Sequence, residues 1–302
     1  MARVMCIGHA VQDYVFSLPE LPAGGRKFRA AAFECVGGGP AATAAVAIVR
    51  LGGEASLAAR LGADTVADAI TGELEGYGVD CSRVKRFAGR TSSLSAVMVD
   101  ARGERMIVNY RDPEMPAGPD RIGDVAAFDA VLADTRWPAG AATGFAAARA
   151  AGVPAVLDAD DPVPDDPAML SRATHLAFSA DGLLGLTGDG DPARAIKSVH
   201  ERFGAWVCVT DGARGVMLCD SGEISTIGAF AVDVVDTLGA GDVWHGAFAL
   251  RLAEGAPEAG AVRFANAAAA IKVSRKGGRS GAPRRAEVEN LLATHREMEP
   301  KF

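Results

Sequence analysis

Short apolar runs recur along this chain with helix-like segments between them, and that alternation most limits the folds open to it. RVMCIGHA (3–10), ASLAARLG (55–62), DAVLAD (129–134), PAVLDAD (154–160), HLAFSA (175–180) and AWVCVTDG (205–212) are continuous apolar runs rather than strict alternations. Strands covered on both faces read this way. Between them, GPAATAAVAIVRLGG (39–53) has apolar residues at helical spacing and stops at Gly52-Gly53, while DTVADAITGELEGYG (64–78) starts on Asp64 as an N-cap and ends at Gly78. Parallel strands need such crossover helices, so the chain is expected to be α/β, with a mostly parallel sheet and helices on both faces. The 302 residues suffice for one large α/β domain, and abundant Ala, 36 Gly and only 6% aromatics suit close helix–sheet packing.

Two regions break the pattern. Residues 13–35 lack helical periodicity and carry Pro and Gly, while SSLSAVMVD (92–100) and ERMIVNY (104–110) are extended runs joined by ARG (101–103), a hairpin signal. Residues 13–35 and 92–112 are therefore expected to form a small inserted β layer, with 1–12, 36–91 and 113–302 forming the main α/β domain. GVMLCD and EISTIG predict a late hairpin. The chain from Ala240 onward reads as helical, with a break at RKGGRSGAP (275–283).

The formal charge is −7 with no basic tract, which argues against a nucleic-acid or anionic-membrane surface and leaves room for a small anionic ligand. The five cysteines include no CxxC, so neither a disulfide framework nor a zinc site is expected. The N-terminus reads as a strand rather than a signal peptide, and no apolar stretch is long enough for a membrane helix. A reduced, cytoplasmic protein is the expectation.

The stretch VVDTLGAGDVWHGAF (234–248) carries the chemistry. Glycines just before a helix let its unpaired first-turn N–H groups approach a ligand, and the helix dipole adds positive charge there, so the natural guest is an anion. Asp242 suits a proton acceptor for a hydroxyl attacking a phosphoryl group that those amides steady. On spacing alone, a glycine loop with an Asp cap fits equally well. His245 reads as a packed or hydrogen-bonded histidine. Gly37-x-Gly39-x-x-Ala42 formally matches a dinucleotide fingerprint, but it falls outside the first strand–helix turn and contains Pro40. No GxxxxGK[ST] is present.

The whole string DTLGAGD followed by a small-residue helix resembles the C-terminal signature of the PfkB/ribokinase family of sugar kinases. The resemblance runs over roughly residues 3–295 and includes GGGPAATAAVAIVRLGG, VCVTDGARGV and FANAAAAIKVSRKGG. It implies a ribokinase-like three-layer sandwich with a β-sheet lid. It makes Asp242 the base and Gly239, Ala240 and Gly241 the anion hole. Thr210, Gly212, Gly215, Gly239, Gly241 and Asn266 would meet ATP, while Asp13, Gly38, Gly39 and Thr43 would meet the sugar. Asp236 and Thr237 would form a monovalent-cation loop, for K+. Thr43 stands where the family often has Asn. SADG (179–182) lacks both residues of the NxxE motif that organises Mg2+, leaving Asp158 in LDADDP (157–162) as the candidate ligand, against a plain capping loop.

A finer resemblance, through VGGGPAATAA, SAVMVDARGERMIVNY, VLADTRW, HLAFSADGLLGLTG and VVDTLGAGDVWHGAFA, is to the sulfofructose kinases of sulfoglycolysis. It implies phosphorylation of the 1-hydroxyl of 6-deoxy-6-sulfofructose. Lys27, Asn109 and Arg136 are the candidate sulfonate clamp, since a sulfonate offers three acceptor oxygens to cationic donors. The alternatives are a kinase for fructose, 2-keto-3-deoxygluconate, ribose or a nucleoside, or a non-catalytic sugar or nucleotide sensor. The exposed edges of a β lid suggest a homodimer formed through it.

Overall fold

Strand β1 (Arg3–Gly8) buries Val4 and Cys6 in one hydrophobic cluster and Met5 and Ile7 in another, one on each face of the sheet. That two-residue period in a fully apolar run makes β1 a central strand. The computed structural model describes residues 1–119 and 122–298, so 120, 121 and 299–302 of the expected main domain lie outside it.

In chain order, β2 (Val11–Ser17) and β3 (Ala32–Gly38) precede α1 (Pro40–Arg50), followed by β4 (Glu54–Gly62), α2 (Thr65–Tyr77), β5 (Lys85–Phe87), β6 (Leu94–Val99) and β7 (Arg105–Tyr110). Then come β8 (Ala130–Asp134), α3 (Pro138–Ala151), β9 (Ala155–Ala159), α4 (Pro167–Leu170), β10 (His175–Ser179), α5 (Ala180–Thr187), α6 (Pro192–Phe203) and β11 (Trp206–Thr210). The hairpin β12 (Val216–Asp220) and β13 (Glu223–Ile227) leads to α7 (Ala240–Ala253), α8 (Glu258–Val273) and α9 (Arg285–Met298). The helix ends follow the sequence signals. The Asp64 side chain accepts from Ala67 N at 2.8 Å to start α2, and Gly78 closes it in the left-handed conformation.

The main sheet has the order β13-β12-β11-β10-β9-β8-β1-β4-β5, parallel throughout except for β12 and β13. Helices α1, α2, α7, α8 and α9 supply one buried cluster, and α3, α4, α5 and α6 supply the other. The result is three layers. Helix α7 is buried almost all round, and its Gly246 lets it cross α1 so closely that a Cβ there would meet Ala44 O at 2.6 Å.

A second sheet of four strands has the order β3-β2-β6-β7, with β2 and β6 parallel and the other pairs antiparallel. It covers more chain than the sequence predicts. β2 begins at Val11, because Gly8-His9-Ala10 redirects the chain from one sheet to the other, and β3 runs on to the glycines where α1 starts. The short, charged β5 carries no strand signal in the sequence. It is held by parallel pairing of Lys85–Phe87 with Arg60–Gly62 of β4.

Candidate active site

All the groups of interest gather at the carboxyl ends of the parallel strands, where open α/β sheets form their clefts. Helix α7 begins there. Gly239, its N-cap, has φ 73°, a left-handed conformation that glycine adopts without strain. Ala240 N bonds back to Thr237 O at 3.2 Å, and Val243 N reaches Gly239 O at 3.0 Å. The amides of Gly241 and Asp242 are thus first-turn donors with no helical acceptor. Of the expected anion-hole amides, Ala240's is engaged in its own turn.

Asp242 is half-buried at this helix start. Loss of solvent raises its carboxyl to about 7, assisted by Asp158, with His245 opposing and Asp134 and Asp160 adding further repulsion. A carboxylate poised near neutrality suits proton transfer. Asp158 ends β9 directly beside Asp134 of β8. It is buried, its Oδ1 has no hydrogen-bond partner, and burial pushes its carboxyl well up, with Asp134 and Asp160 adding to the shift. His245 Nδ1 stands 3.4 Å from that oxygen and 2.8 Å from Gly241 O, while Nε2 is 3.2 Å from Ala177 O. Both ring nitrogens therefore face backbone, and His245 braces the helix start, as the sequence suggests for a packed histidine.

One side of α7 faces a cavity of about 500 Å³ that brings together Thr210, Gly212, Gly215, Thr237, Ala240, Gly241 and Asn266 against an apolar wall including Phe230, Val234 and Val273. Every expected nucleotide residue except Gly239 lines it. Asn266 serves differently from expectation. Its Oδ1 accepts from Trp244 Nε1 at 2.8 Å and its Nδ2 donates to Gly228 O at 3.0 Å, so its amide braces the cavity wall.

A second, smaller cavity of about 230 Å³, beyond the ends of β8, β1 and β4, is lined by Gly8, His9, Arg60, Ser93, Arg111, Asp112, Pro113, Met115 and Arg136. Three guanidinium groups meet here. Arg60 stacks on the Trp137 ring at 4.8 Å and donates to Pro116 O at 2.9 Å. Arg111 Nε donates to Asn109 Oδ1 at 3.3 Å, and Arg136 Nη2 donates to Asp161 O at 2.6 Å. Among the described residues neither Arg60 nor Arg111 is in an ion pair, and Arg136 has one, with Asp160 at 3.5 Å. His9 Nε2 is buried without a partner, and burial together with Arg111, Arg136 and Arg60 lowers its imidazole to about 3. His9 is neutral, and the positive charge of this cavity belongs to the arginines.

The expected clamp is therefore rearranged. Arg136 is in the cavity. Asn109 Nδ2 donates to Ser95 Oγ at 3.0 Å, and its carbonyl orients Arg111. Lys27 is exposed on the loop between β2 and β3 and is not part of the cavity lining. Sequence reasoning missed Arg60, Arg111 and His9. The signal was present in one case, since Arg60 is the lone charge in the otherwise apolar run ASLAARLG, near its carboxyl end.

The glycine run before α1 has distinct packing reasons. A Cβ on Gly38 would meet Asp13 Oδ2 at 2.5 Å, so glycine there lets the Asp13 carboxyl reach the cleft. Gly39 has φ 95°, and a Cβ would meet His9 O at 2.4 Å. Burial raises Asp13, while a hydrogen bond with Ser95 and the charge of Arg279 pull the other way. Thr43 is buried in α1 and packs against Gly239, where a Cβ would meet its methyl at 3.3 Å. Asp134 ties this corner together. Its Oδ2 accepts from His9 N at 2.7 Å and Ala41 N at 3.1 Å, and its Oδ1 accepts from Arg136 N at 2.8 Å.

The expected cation loop at Asp236 and Thr237 is a correction. The side chain of Lys272, with no exposure to solvent, places its ammonium 2.9 Å from Asp236 O and 3.2 Å from Asp236 Oδ2. A cation on those oxygens has no room, and Thr237 instead lines the larger cavity. For a divalent ion, no group of three His, Cys, Asp or Glu side chains among the described residues could hold one, and the unpartnered Asp158 Oδ1 is the protein oxygen best suited to face a metal carried by a ligand. At the absent NxxE motif, Ser179 caps α5 by accepting from Gly182 N at 3.0 Å, and a Cβ on Gly182 would meet Ala159 O at 2.2 Å. No side chain fits at Gly182.

Known proteins are similar to this chain over nearly its full length. The ribokinase of Bacillus subtilis is 29% identical over 298 residues, spanning 97% of this chain and 100% of that relative. A structure from Agrobacterium tumefaciens, provisionally named a ribokinase, superposes with a TM-score of 0.88 at 36% identity, covering 99% of each chain. The ribokinase of Arabidopsis thaliana, complexed with ribose and ATP, superposes with a TM-score of 0.86 at 28% identity, covering 96% of this chain and 98% of that one. The profile of the pfkB family carbohydrate kinases matches residues 1–285. The chain belongs to the pfkB family, with its ribokinase-like fold, and is an ATP-dependent carbohydrate kinase.

Proposed function

We propose that this enzyme transfers the γ-phosphoryl group of ATP to the 1-hydroxyl of 6-deoxy-6-sulfofructose, giving 6-deoxy-6-sulfofructose 1-phosphate. The observation that carries this reading is the meeting of Arg60, Arg111 and Arg136 around one small cavity, separate from the larger one. A neutral sugar gives three guanidinium groups nothing to neutralise. A sulfonate offers them three acceptor oxygens and one negative charge.

ATP occupies the larger cavity, its base against the apolar wall and its phosphates toward the α7 amides. Asp13 receives sugar hydroxyls through the gap at Gly38. Asp242 takes the proton of the attacking hydroxyl as that oxygen bonds to the γ-phosphorus. The bond to the bridging oxygen breaks and ADP leaves. Gly239 and the first-turn amides of α7 stabilise charge on the transferring group. Asp158, with its unpartnered Oδ1, would face a Mg2+ ion carried by ATP, and that ion would supply neutralisation of phosphate charge. The small sheet acts as a lid that excludes water.

Phe33, Ile107 and Val108 of the lid are more than half exposed, and a second copy of this chain covers them in a lid-to-lid homodimer. No helix among the described residues is long and apolar enough to cross a membrane, and the cysteines are free, as a reducing cytoplasm maintains them.

The test is ADP release with 6-deoxy-6-sulfofructose beside fructose, fructose 6-phosphate, ribose, a nucleoside and 2-keto-3-deoxygluconate, with the phosphorylated position read by NMR. The expected result is a kcat/KM for the sulfosugar at least about 100-fold above fructose, the scale of a buried charge pair. Preference for ribose or fructose assigns the enzyme to a neutral sugar. Preference for 2-keto-3-deoxygluconate keeps the anion pocket and replaces the sulfonate with a carboxylate.

A further inference from the structure

Lys272 lies in the last turn of α8, and its aliphatic stem and ammonium are wholly buried. A buried lysine is rare unless paired, and burial, with the charge of Arg105 adding to it, lowers its pKa, while Asp236 opposes. Its nitrogen is surrounded by oxygen. Asp236 O is at 2.9 Å, Asp236 Oδ2 at 3.2 Å and Arg275 O at 3.5 Å. Two backbone carbonyls and a carboxylate around one positive charge make up the donor chemistry of a monovalent-cation site.

The same oxygens belong to a network that sets the start of α7. Asp236 Oδ2 also accepts from Gly277 N and Gly278 N, both at 3.2 Å, and Oδ1 accepts from Leu238 N at 3.0 Å. Asp236 N and Val235 N both donate to Val273 O. The loop entering Gly239 is thereby pinned to the loop leaving α8. These contacts hold the Asp236 carboxyl down at about 2. Arg105 of the lid strand β7 reaches the same carboxylate, Nη2 to Oδ1 at 2.8 Å.

We propose that the Lys272 ammonium is this enzyme's built-in monovalent cation. It occupies the seat that a K+ ion on Asp236 would take, and it holds the amides at the start of α7 in place for phosphate binding without any ion from solution. Lys272 is a positioning residue, since its own side chain lines neither cavity. The inference holds whichever sugar is the substrate, because it concerns the phosphate side of the site.

The experiment measures ADP affinity by calorimetry and the melting temperature, both independent of the sugar, in NaCl, KCl, RbCl and choline chloride at equal ionic strength. Wild-type enzyme is expected to give the same ADP affinity in all four. Lys272→Met is expected to lose about tenfold or more in ADP affinity in choline chloride, as breaking a buried pair does. KCl and RbCl should restore the affinity and the melting temperature, while choline should not. Lys272→Gln, which keeps a donor without the charge, should show the same K+ rescue. A wild-type enzyme whose ADP affinity rises severalfold on adding K+ overturns the proposal. So do folded variants that respond alike to all four salts. If neither variant folds, the wild-type comparison decides alone.

Discussion

Asp242 joins chemistry and stability in one side chain. With its carboxyl raised to about 7, the ionised fraction able to accept a proton falls steadily as pH drops below neutral. The kcat/KM profile is therefore expected to rise through pH 7 and level off above it, as a single ionisation on the acid side. Asp242→Asn should lower kcat by about 1,000-fold or more while ADP binds nearly as before. Near-normal kcat in that variant would remove the base assignment. The sign of the stability effect is opposite. A carboxyl raised in the folded state is destabilising where it is ionised, above about pH 7, and this cost fades as pH falls toward the unfolded value. Asp242→Asn should therefore be more stable at pH 8 by about 2 kcal/mol, a gain absent near pH 4. That is half of what a fully dry shift would give, since the group is half-buried. Paired urea titrations at the two pH values measure it. The spacing of glycines and Asp242 left a capping loop equally open, and it was the resemblance of the whole string DTLGAGD to the family signature that singled this residue out. Arg60 left only the trace of a lone charge in an apolar run, and Arg111 and Lys272 left none, since the fold alone brings Arg111 beside Arg60 and Arg136 and sets Lys272 against Asp236.

At the scale of elements, the parallel sheet was legible because its strands are continuous apolar runs and its helices carry end signals such as Asp64 and Gly78. The lid was legible as a region but not in its limits. Its strand β7 is exposed along its whole length, so no buried face marks the ends. The lid closes on the main domain partly through Arg105 and Asp236. Arg105→Ala is expected to raise the sugar KM by about threefold with ADP affinity little changed, the scale of a partly exposed ion pair. An equal loss in ADP affinity would show that Arg105 supports the Asp236 loop rather than the lid.

The whole molecule sets two separate cavities, one along the start of α7 and one lined by Arg60, Arg111 and Arg136, so that a basic cavity sits in a chain of net charge −7. Composition could not reveal that concentration of charge, because it averages over the surface. The proposed lid-to-lid dimer belongs to this scale as well. Val108→Lys should convert the dimer to monomer in sedimentation velocity, and an unchanged sedimentation coefficient would move the interface elsewhere. The account turns most on the charge of the smaller cavity. Steady-state kinetics of Arg60→Ala and Arg136→Ala on 6-deoxy-6-sulfofructose and on fructose test it directly. The account predicts a KM for the sulfosugar raised by about 100-fold with any activity on fructose changed by less than about threefold. Equal losses on both sugars would contradict it.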